Sequence, residues 1–220
     1  WTHATYDLAG RTLTETAHYV SGGSATADQN VLVRTSTYDA NGNTLTTTGA
    51  PGAVGGTGLV TRATYDALDR TVQLVTNYVA GGPTDNQTNL TTTYGYDALG
   101  HAISETDPAG VVTRSEFDRA HRLTAVTQNY VSGQPATASQ NVRSTYGYNA
   151  AGELVTYCPP VSVGAGNCLS AFWSYGRDGF GNVTAQTAPA GSSLGAITAT
   201  YDPLGRLVGS SDGLHSQTYS

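Results

Sequence analysis

Aspartate recurs along the 220-residue chain at Asp7, Asp39, Asp66, Asp97, Asp118, Asp178 and Asp202, and Asn149 fills one further place in the series. Carboxylates are common general acids and bases, and a pair facing across a groove would suit glycoside hydrolysis. A catalytic carboxylate needs a special partner in one special place, however, and eight near-equivalent copies argue against eight active sites. Cys158 and Cys168 bracket CPPVSVGAGNC, a loop rich in Pro and Gly. The functional reading is a disulfide closing that loop, worth about 3 kcal/mol if unstrained, and the alternative is two free thiols. A metal site would need more ligands nearby, and His3, His18, His101, His121 and His215 show no ligand spacing. Asp107-Pro108 in TDPAG has the letters of a cleavage site in some folds, but it stands between a hairpin and VVTRSEFD, where a turn is needed anyway. The sequons at Asn86, Asn89 and Asn182 are expected by chance in a chain this rich in Thr. No GxSxG, HExxH, Walker or dinucleotide pattern occurs, and GGTG at Gly55 to Gly58 is not followed by a helix signal. The sequence therefore assigns no catalytic, cofactor-binding or metal-ligating residue, and the chain reads as a non-enzyme.

The elements that carry these residues follow from composition and period. The chain is 38% hydrophobic and 12% charged, with a net charge of −6, ten Arg and no Lys. That balance leaves no basic stripe for nucleic acid or anionic lipid, and no apolar run approaches the roughly 20 residues of a membrane helix. Tyr outnumbers Phe fourteen to three, and Thr, Gly and Ala dominate. An all-β, water-facing protein fits best. The chain starts at Trp1, lacks Met, and has neither a charged n-region nor an apolar h-region, so it reads as a piece of something longer.

The Asp series has intervals of 21 to 32 residues, a period at which each unit is one supersecondary element that must stack on its neighbours. Each copy runs aromatic, Asp, two variable residues, Gly, a polar residue, then an apolar one. Asp or Asn suits the first position of a type I turn, and Gly the fourth, where a left-handed backbone is wanted. The turn residues are Tyr6, Asp7, Gly10 and Arg11; Tyr38, Asp39 and Gly42; Tyr65, Asp66 and Arg70; Tyr96, Asp97 and Gly100; Phe117 and Asp118; Tyr148, Asn149 and Gly152; Asp178 and Gly181; and Tyr201, Asp202, Gly205 and Arg206. TRATYD and TTTYGYD read as outgoing strands, RTLTET and NTLTTT as their returns. Tyr is expected to pack on the equivalent Tyr of the next hairpin. A second repeat, His18 to Val31, Asn77 to Leu90 and Asn129 to Val142, reads as a projecting loop flanked by short strands at Tyr-Val and at Gln-Asn-Val. The aromatic cluster Phe172, Trp173, Tyr175 and Phe180 could stack on a sugar ring, but core packing is the better reading.

YDLAGRTL, YDANGNTL, YDALDRTV, YDALGHAI, FDRAHRLT, YNAAGELV, RDGFGNVT and YDPLGRLV resemble the YD repeat of RHS (rearrangement hotspot) proteins. The likeness runs over residues 1–220 as a single array of about eight hairpins. Asp69 and His121 depart from it in the Gly slot, and Arg177 in the Tyr slot. The resemblance implies tandem hairpins stacked into a long spiralling sheet, a segment of a hollow β-shell. In such proteins the shell encloses a C-terminal toxin or effector of a secreted bacterial protein; teneurin-like and wall-associated relatives use it for adhesion or glycan contact at the cell surface. The implied partners are neighbouring repeats of the parent chain and an enclosed effector, or a glycan or cell-surface partner, with no cofactor. The family's autoproteolytic core is not carried onto Asp107, because TDPAG shares only a few of its letters.

Overall fold

A computed structural model describes residues 1–26, 29–49, 58–160, 172–190 and 192–219. Among them every regular element is a β-strand, as the Thr-, Val- and Tyr-rich alternation requires. The chain divides into two compact units.

The first unit comprises Trp1–Gly95 with Glu105–Gly110. Its strands are β1 (Thr2–Tyr6), β2 (Thr12–Ala17), β3 (Val31–Tyr38), β4 (Thr44–Gly49), β5 (Val60–Tyr65), β6 (Thr71–Thr76) and β7 (Leu90–Tyr96), the last residue of which, Tyr96, falls in the second unit. Each pairs antiparallel with the next. The Asp7, Asp39 and Asp66 turns therefore share one edge, and the loops after β2 and β6 the other.

The second unit comprises Tyr96–Ser104 with Val111–Ser220, so β8 (Ala102–Thr106) gives residues to both units. Its remaining strands are β9 (Val112–Phe117), β10 (Leu123–Gln128), β11 (Val142–Tyr148), β12 (Leu154–Cys158), β13 (Trp173–Arg177), β14 (Val183–Thr187), β15 (Ile197–Tyr201), β16 (Leu207–Ser211) and β17 (Ser216–Thr218). From β9 onward each strand again pairs antiparallel with its successor.

Among the described residues of each unit the strands touch only their neighbours in sequence, so each is there one layer of hairpins. Burial is correspondingly shallow. Val75, Ala125 and Cys158 are the buried hydrophobic residues among those described, and no large side chain is fully enclosed. Around β10 the face is roofed by an ion pair instead: Arg143 on β11 reaches across to Glu116 on β9, Nη2 to Oε2 2.9 Å, on the face that holds Ala125 and Thr127.

One irregularity recurs. The register slips by one residue beside the position that precedes the Asp or Asn of seven turns, so that Tyr6 opposes Thr12, Tyr38 opposes Thr44, Tyr65 opposes Thr71, Phe117 opposes Leu123, Tyr148 opposes Leu154, Arg177 opposes Val183 and Tyr201 opposes Leu207. A bulge bends its strand and re-aims a side chain. Here it sits at the same place in seven hairpins, which makes it part of the repeat.

Candidate functional site

The recurring site is the turn itself. In the first copy Asp7 N–H donates to the Arg11 carbonyl at 2.9 Å, and Gly10 N–H to the Asp7 carbonyl at 3.0 Å. The side chain completes the turn: Asp7 Oδ1 accepts from Ala9 N–H and Arg11 N–H, each at 2.9 Å, and Oδ2 accepts from Arg11 Nε at 2.6 Å. Asp66, Asp97, Asp118, Asp178 and Asp202 each use Oδ1 in the same double way. Asp39 Oδ1 takes Asn43 N–H at 2.8 Å. The residue four on supplies the Oδ2 donor: Arg70, Arg122 and Arg206 through Nε, Asn43 and Asn182 through Nδ2, and His101 through Nδ1.

Those bonds depress the carboxyls below their ordinary value. The main cause is the side-chain donor four residues on for Asp39, Asp66, Asp97, Asp118 and Asp178, and the backbone N–H of that residue for Asp7 and Asp202. A carboxylate with both oxygens committed to its own turn and held ionised is a poor general base. At Asn149 the polarity inverts. Its Nδ2 donates to Glu153 Oε2 at 2.7 Å, so the pair keeps one donor and one acceptor with the roles exchanged.

The fourth slot is left-handed throughout, with φ of 78° at Gly10, 100° at Gly42, 90° at Gly100, 85° at Gly152 and Gly181, and 75° at Gly205. Asp69 and His121 adopt the same backbone, at 60° and 63°. The turn is thus kept where the glycine is not, at the steric cost of an L-residue in that region. TDPAG forms this turn too: Ala109 N–H donates to Asp107 Oδ1 at 2.9 Å, Gly110 N–H to the Asp107 carbonyl at 2.9 Å, and Gly110 has φ 82°.

The aromatic slot does something other than the expected ring-on-ring packing. Tyr38 Oη donates back to the Thr12 carbonyl at 2.8 Å, Tyr65 Oη to Thr44 at 2.9 Å, Tyr148 Oη to Leu123 at 2.8 Å and Tyr201 Oη to Val183 at 3.1 Å. Each acceptor lies five residues after the Asp or Asn of the preceding turn. Arg177, where Tyr would stand, bonds the equivalent carbonyl of Leu154 through Nε at 3.1 Å. In the forward direction Arg11 lies 4.8 Å over the Tyr38 ring and donates to the Asp39 carbonyl at 3.0 Å. Arg122 does the same to Tyr148, at 4.8 Å, and to the Asn149 carbonyl, at 3.2 Å. The rings pair with guanidinium because the fifth residue of one turn lies over the aromatic of the next. Phe117, which has no hydroxyl, stacks on His101 at 4.5 Å. Tyr6 is exposed, and Tyr96 closes β7 ahead of the Asp97 turn.

The opposite edge carries a second device, which the sequence reading missed. Asn30, Asn89 and Asn141 close the three long loops, each with positive φ. Asn89 Oδ1 accepts from Val79 N–H at 2.8 Å, while Nδ2 reaches the carbonyls of Val79, Gly82 and Pro83 at 3.0 to 3.1 Å. Asn30 and Asn141 staple their loops to Val20 and Gly23, and to Val131 and Gln134. The signal was present as an Asn shared by QNV and TNL. The flanking Tyr-Val is not a strand, since the left-handed His18, Asn77 and Asn129 end β2, β6 and β10 before it. Its Tyr stacks instead on a cation or imidazole of the sheet: Tyr19 on His3 at 4.2 Å, Tyr78 under Arg62 at 5.2 Å, Tyr130 under Arg114 at 4.9 Å.

Phe180 is not core: it is 84% exposed, because the third turn position points away from the sheet, and Phe172 is 37% exposed. Cys158 is buried at the end of β12, while Cys168 lies outside the described residues, as do Gly55 and Gly56 of GGTG. No helix among the described residues is long and apolar enough to cross a membrane.

Comparison with known proteins agrees with this geometry. Residues 96–130 match the RHS repeat family. The crystal structure of TcdB2-TccC3-Cdc42 resembles the fold with a TM-score of 0.52 at 17% identity, over 95% of this chain and 12% of that one. A structure of the Photorhabdus luminescens Tc holotoxin pore gives a TM-score of 0.49 at 18% identity, again over 95% and 12%. No curated protein matches. This chain thus spans a small fraction of the solved chains whose fold it resembles. It carries an RHS repeat at residues 96–130, and the same Tyr-Asp hairpin recurs on both sides of that segment.

Proposed function

We propose that the chain is a non-enzymatic wall segment of an RHS-type shell, enclosing a C-terminal toxin or effector of a secreted bacterial protein. The observation that carries this reading is the stitch between hairpins: tyrosine hydroxyl backward, guanidinium forward, with the leading aspartate of seven turns consumed in holding its own turn. Such a chain spends its chemistry on joining one hairpin to the next. Its single-layer sheets carry many Thr side chains and few charges. A wall of that kind can surround a polypeptide without offering it a strong charge or a large apolar bed. The RHS match and the likeness in fold support the same reading.

The test is protease protection in the parent protein. A sequence downstream of the repeats should survive protease while the hairpins are intact, and should be digested once Tyr38, Tyr65, Tyr148 and Tyr201 are all replaced by Phe. Equal digestion in both would overturn enclosure. Hydrolase activity in the purified repeats would overturn the non-enzymatic role. If enclosure fails and binding to glycan or cell surface is lost on Trp173→Ala with the strands intact, adhesion is the better account.

A further inference from the structure

The repeat sets the fifth residue of one turn beside the fourth residue of the next. Arg11 Nη1 lies 3.7 Å from where a Cβ on Gly42 would be, and Arg122 Nη1 lies 3.9 Å from the corresponding point on Gly152. Asn43 Nδ2 donates to Asp69 Oδ1 at 2.6 Å across the same junction. At one junction, within the second unit, both slots hold histidine. His101 is fifth in the Asp97 turn and His121 fourth in the Asp118 turn, and His101 Nε2 stands 2.7 Å from His121 Nδ1. The His101 ring is fixed on two sides: Asp97 Oδ2 holds Nδ1 at 2.7 Å, and Phe117 stacks on the ring at 4.5 Å with 12° between planes. With Nδ1 turned to Asp97, its Nε2 presents a lone pair toward His121 Nδ1, the two rings joined by that 2.7 Å hydrogen bond.

We propose that His101 Nε2 and His121 Nδ1 together bind a divalent transition-metal ion of the Zn²⁺, Ni²⁺ or Cu²⁺ class, with Asp97 as the carboxylate behind His101. Imidazole nitrogen suits these ions, and a metal-binding histidine typically donates its other N–H to a carboxylate, as His101 does to Asp97. Among the described residues no group of three or more His, Cys, Asp or Glu is arranged to hold a metal. The site is therefore a two-histidine one, with water completing the coordination. Metal–nitrogen bonds of about 2.0–2.1 Å at a tetrahedral angle set the two nitrogens about 3.3 Å apart. The rings must open by about 0.6 Å to reach that spacing, and His121 lies exposed on its turn with its ring already tilted 54° to that of His101. The metal takes the lone pair of His121 Nδ1 when that ring carries its proton on Nε2, while His101 Nδ1 keeps its hydrogen bond to Asp97 Oδ2. The separation of 20 positions between the two histidines hides the site from any reading of ligand spacing.

The test is calorimetric titration of the full chain with ZnCl₂ and with NiCl₂. One site per chain is expected. His101→Arg recreates the Asp7–Arg11 pair and His121→Gly recreates the glycine of the other turns, so both variants keep the fold, and each should weaken binding at least tenfold. Asp97→Asn should weaken it 10- to 100-fold. Electron paramagnetic resonance of the Cu²⁺-loaded wild type, which depends on no variant, should show two nitrogen ligands. No binding at millimolar Zn²⁺, unchanged affinity in both histidine variants, or fewer than two nitrogens on Cu²⁺ would overturn the site. Unchanged affinity in Asp97→Asn would overturn the part given to the carboxylate.

Discussion

At the scale of a residue, one hydroxyl decides whether a hairpin is joined to its predecessor. Tyr38→Phe keeps the ring under Arg11 but leaves the Thr12 carbonyl without its 2.8 Å donor. A loss of about 1 kcal/mol is expected in urea unfolding, the net worth of one such bond. Asn89 separates two causes that usually travel together. It makes four hydrogen bonds to its loop and has φ 53°. Asn89→Gly loses the bonds and keeps the backbone, whereas Asn89→Ala also forces an L-residue without compensation into the left-handed region. The alanine variant should be the less stable by about 1 kcal/mol in the same assay. Equal losses would mean that the staple alone matters.

At the scale of an element, the turn is a two-residue circuit of one donor and one acceptor. Asn149→Asp places a carboxylate against Glu153 and should destabilise the hairpin by about 1 kcal/mol, while Asn149→Asp with Glu153→Arg restores the usual pair. A double-mutant cycle in urea shows the circuit as non-additivity, and additive effects would deny it. The turns were legible in the sequence because their chemistry is local: Asp, the residue four on, and Gly lie within five residues of one another. Even Asp69 and His121 kept the turn, the remaining bonds outweighing the strain of their backbone. The destination of the tyrosine was not legible, since the Thr12 carbonyl is 26 residues away and its position depends on a one-residue bulge. The exposure of Phe180 was missed for a related reason: an aromatic-rich string suggests a core, and only the turn phase tells which ring points outward. For Cys158 and Cys168 the pairing remains a proposal. Denatured, unreduced protein should show no reactive thiol, and reduction should cost about 3 kcal/mol; two reactive thiols would rule the pairing out.

At the scale of the whole molecule, acid acts on seven of the eight turns together. The carboxyls of Asp7, Asp39, Asp66, Asp97, Asp118, Asp178 and Asp202 are held below the ordinary 3.8 by their donors. A group depressed in the folded state binds its proton more readily when unfolded, so its contribution is present above the unfolded value and lost as pH falls through the folded one. The melting temperature should therefore be flat in this respect from pH 7 to about 5 and fall below about 4. An unchanged melting temperature at pH 2.5 would show that the turns do not depend on ionised Asp. The hairpin array itself was readable from period and composition alone, because a strand-turn-strand unit repeated this often leaves few other ways to satisfy its backbone. The stitch has a direction as well. Tyrosine of a later hairpin bonds to a carbonyl of the earlier one, so the acceptor exists before the donor is made. A chain leaving the ribosome N-terminus first meets, with each new hairpin, a finished edge already waiting for it, and the protein can be completed in the order in which it is translated.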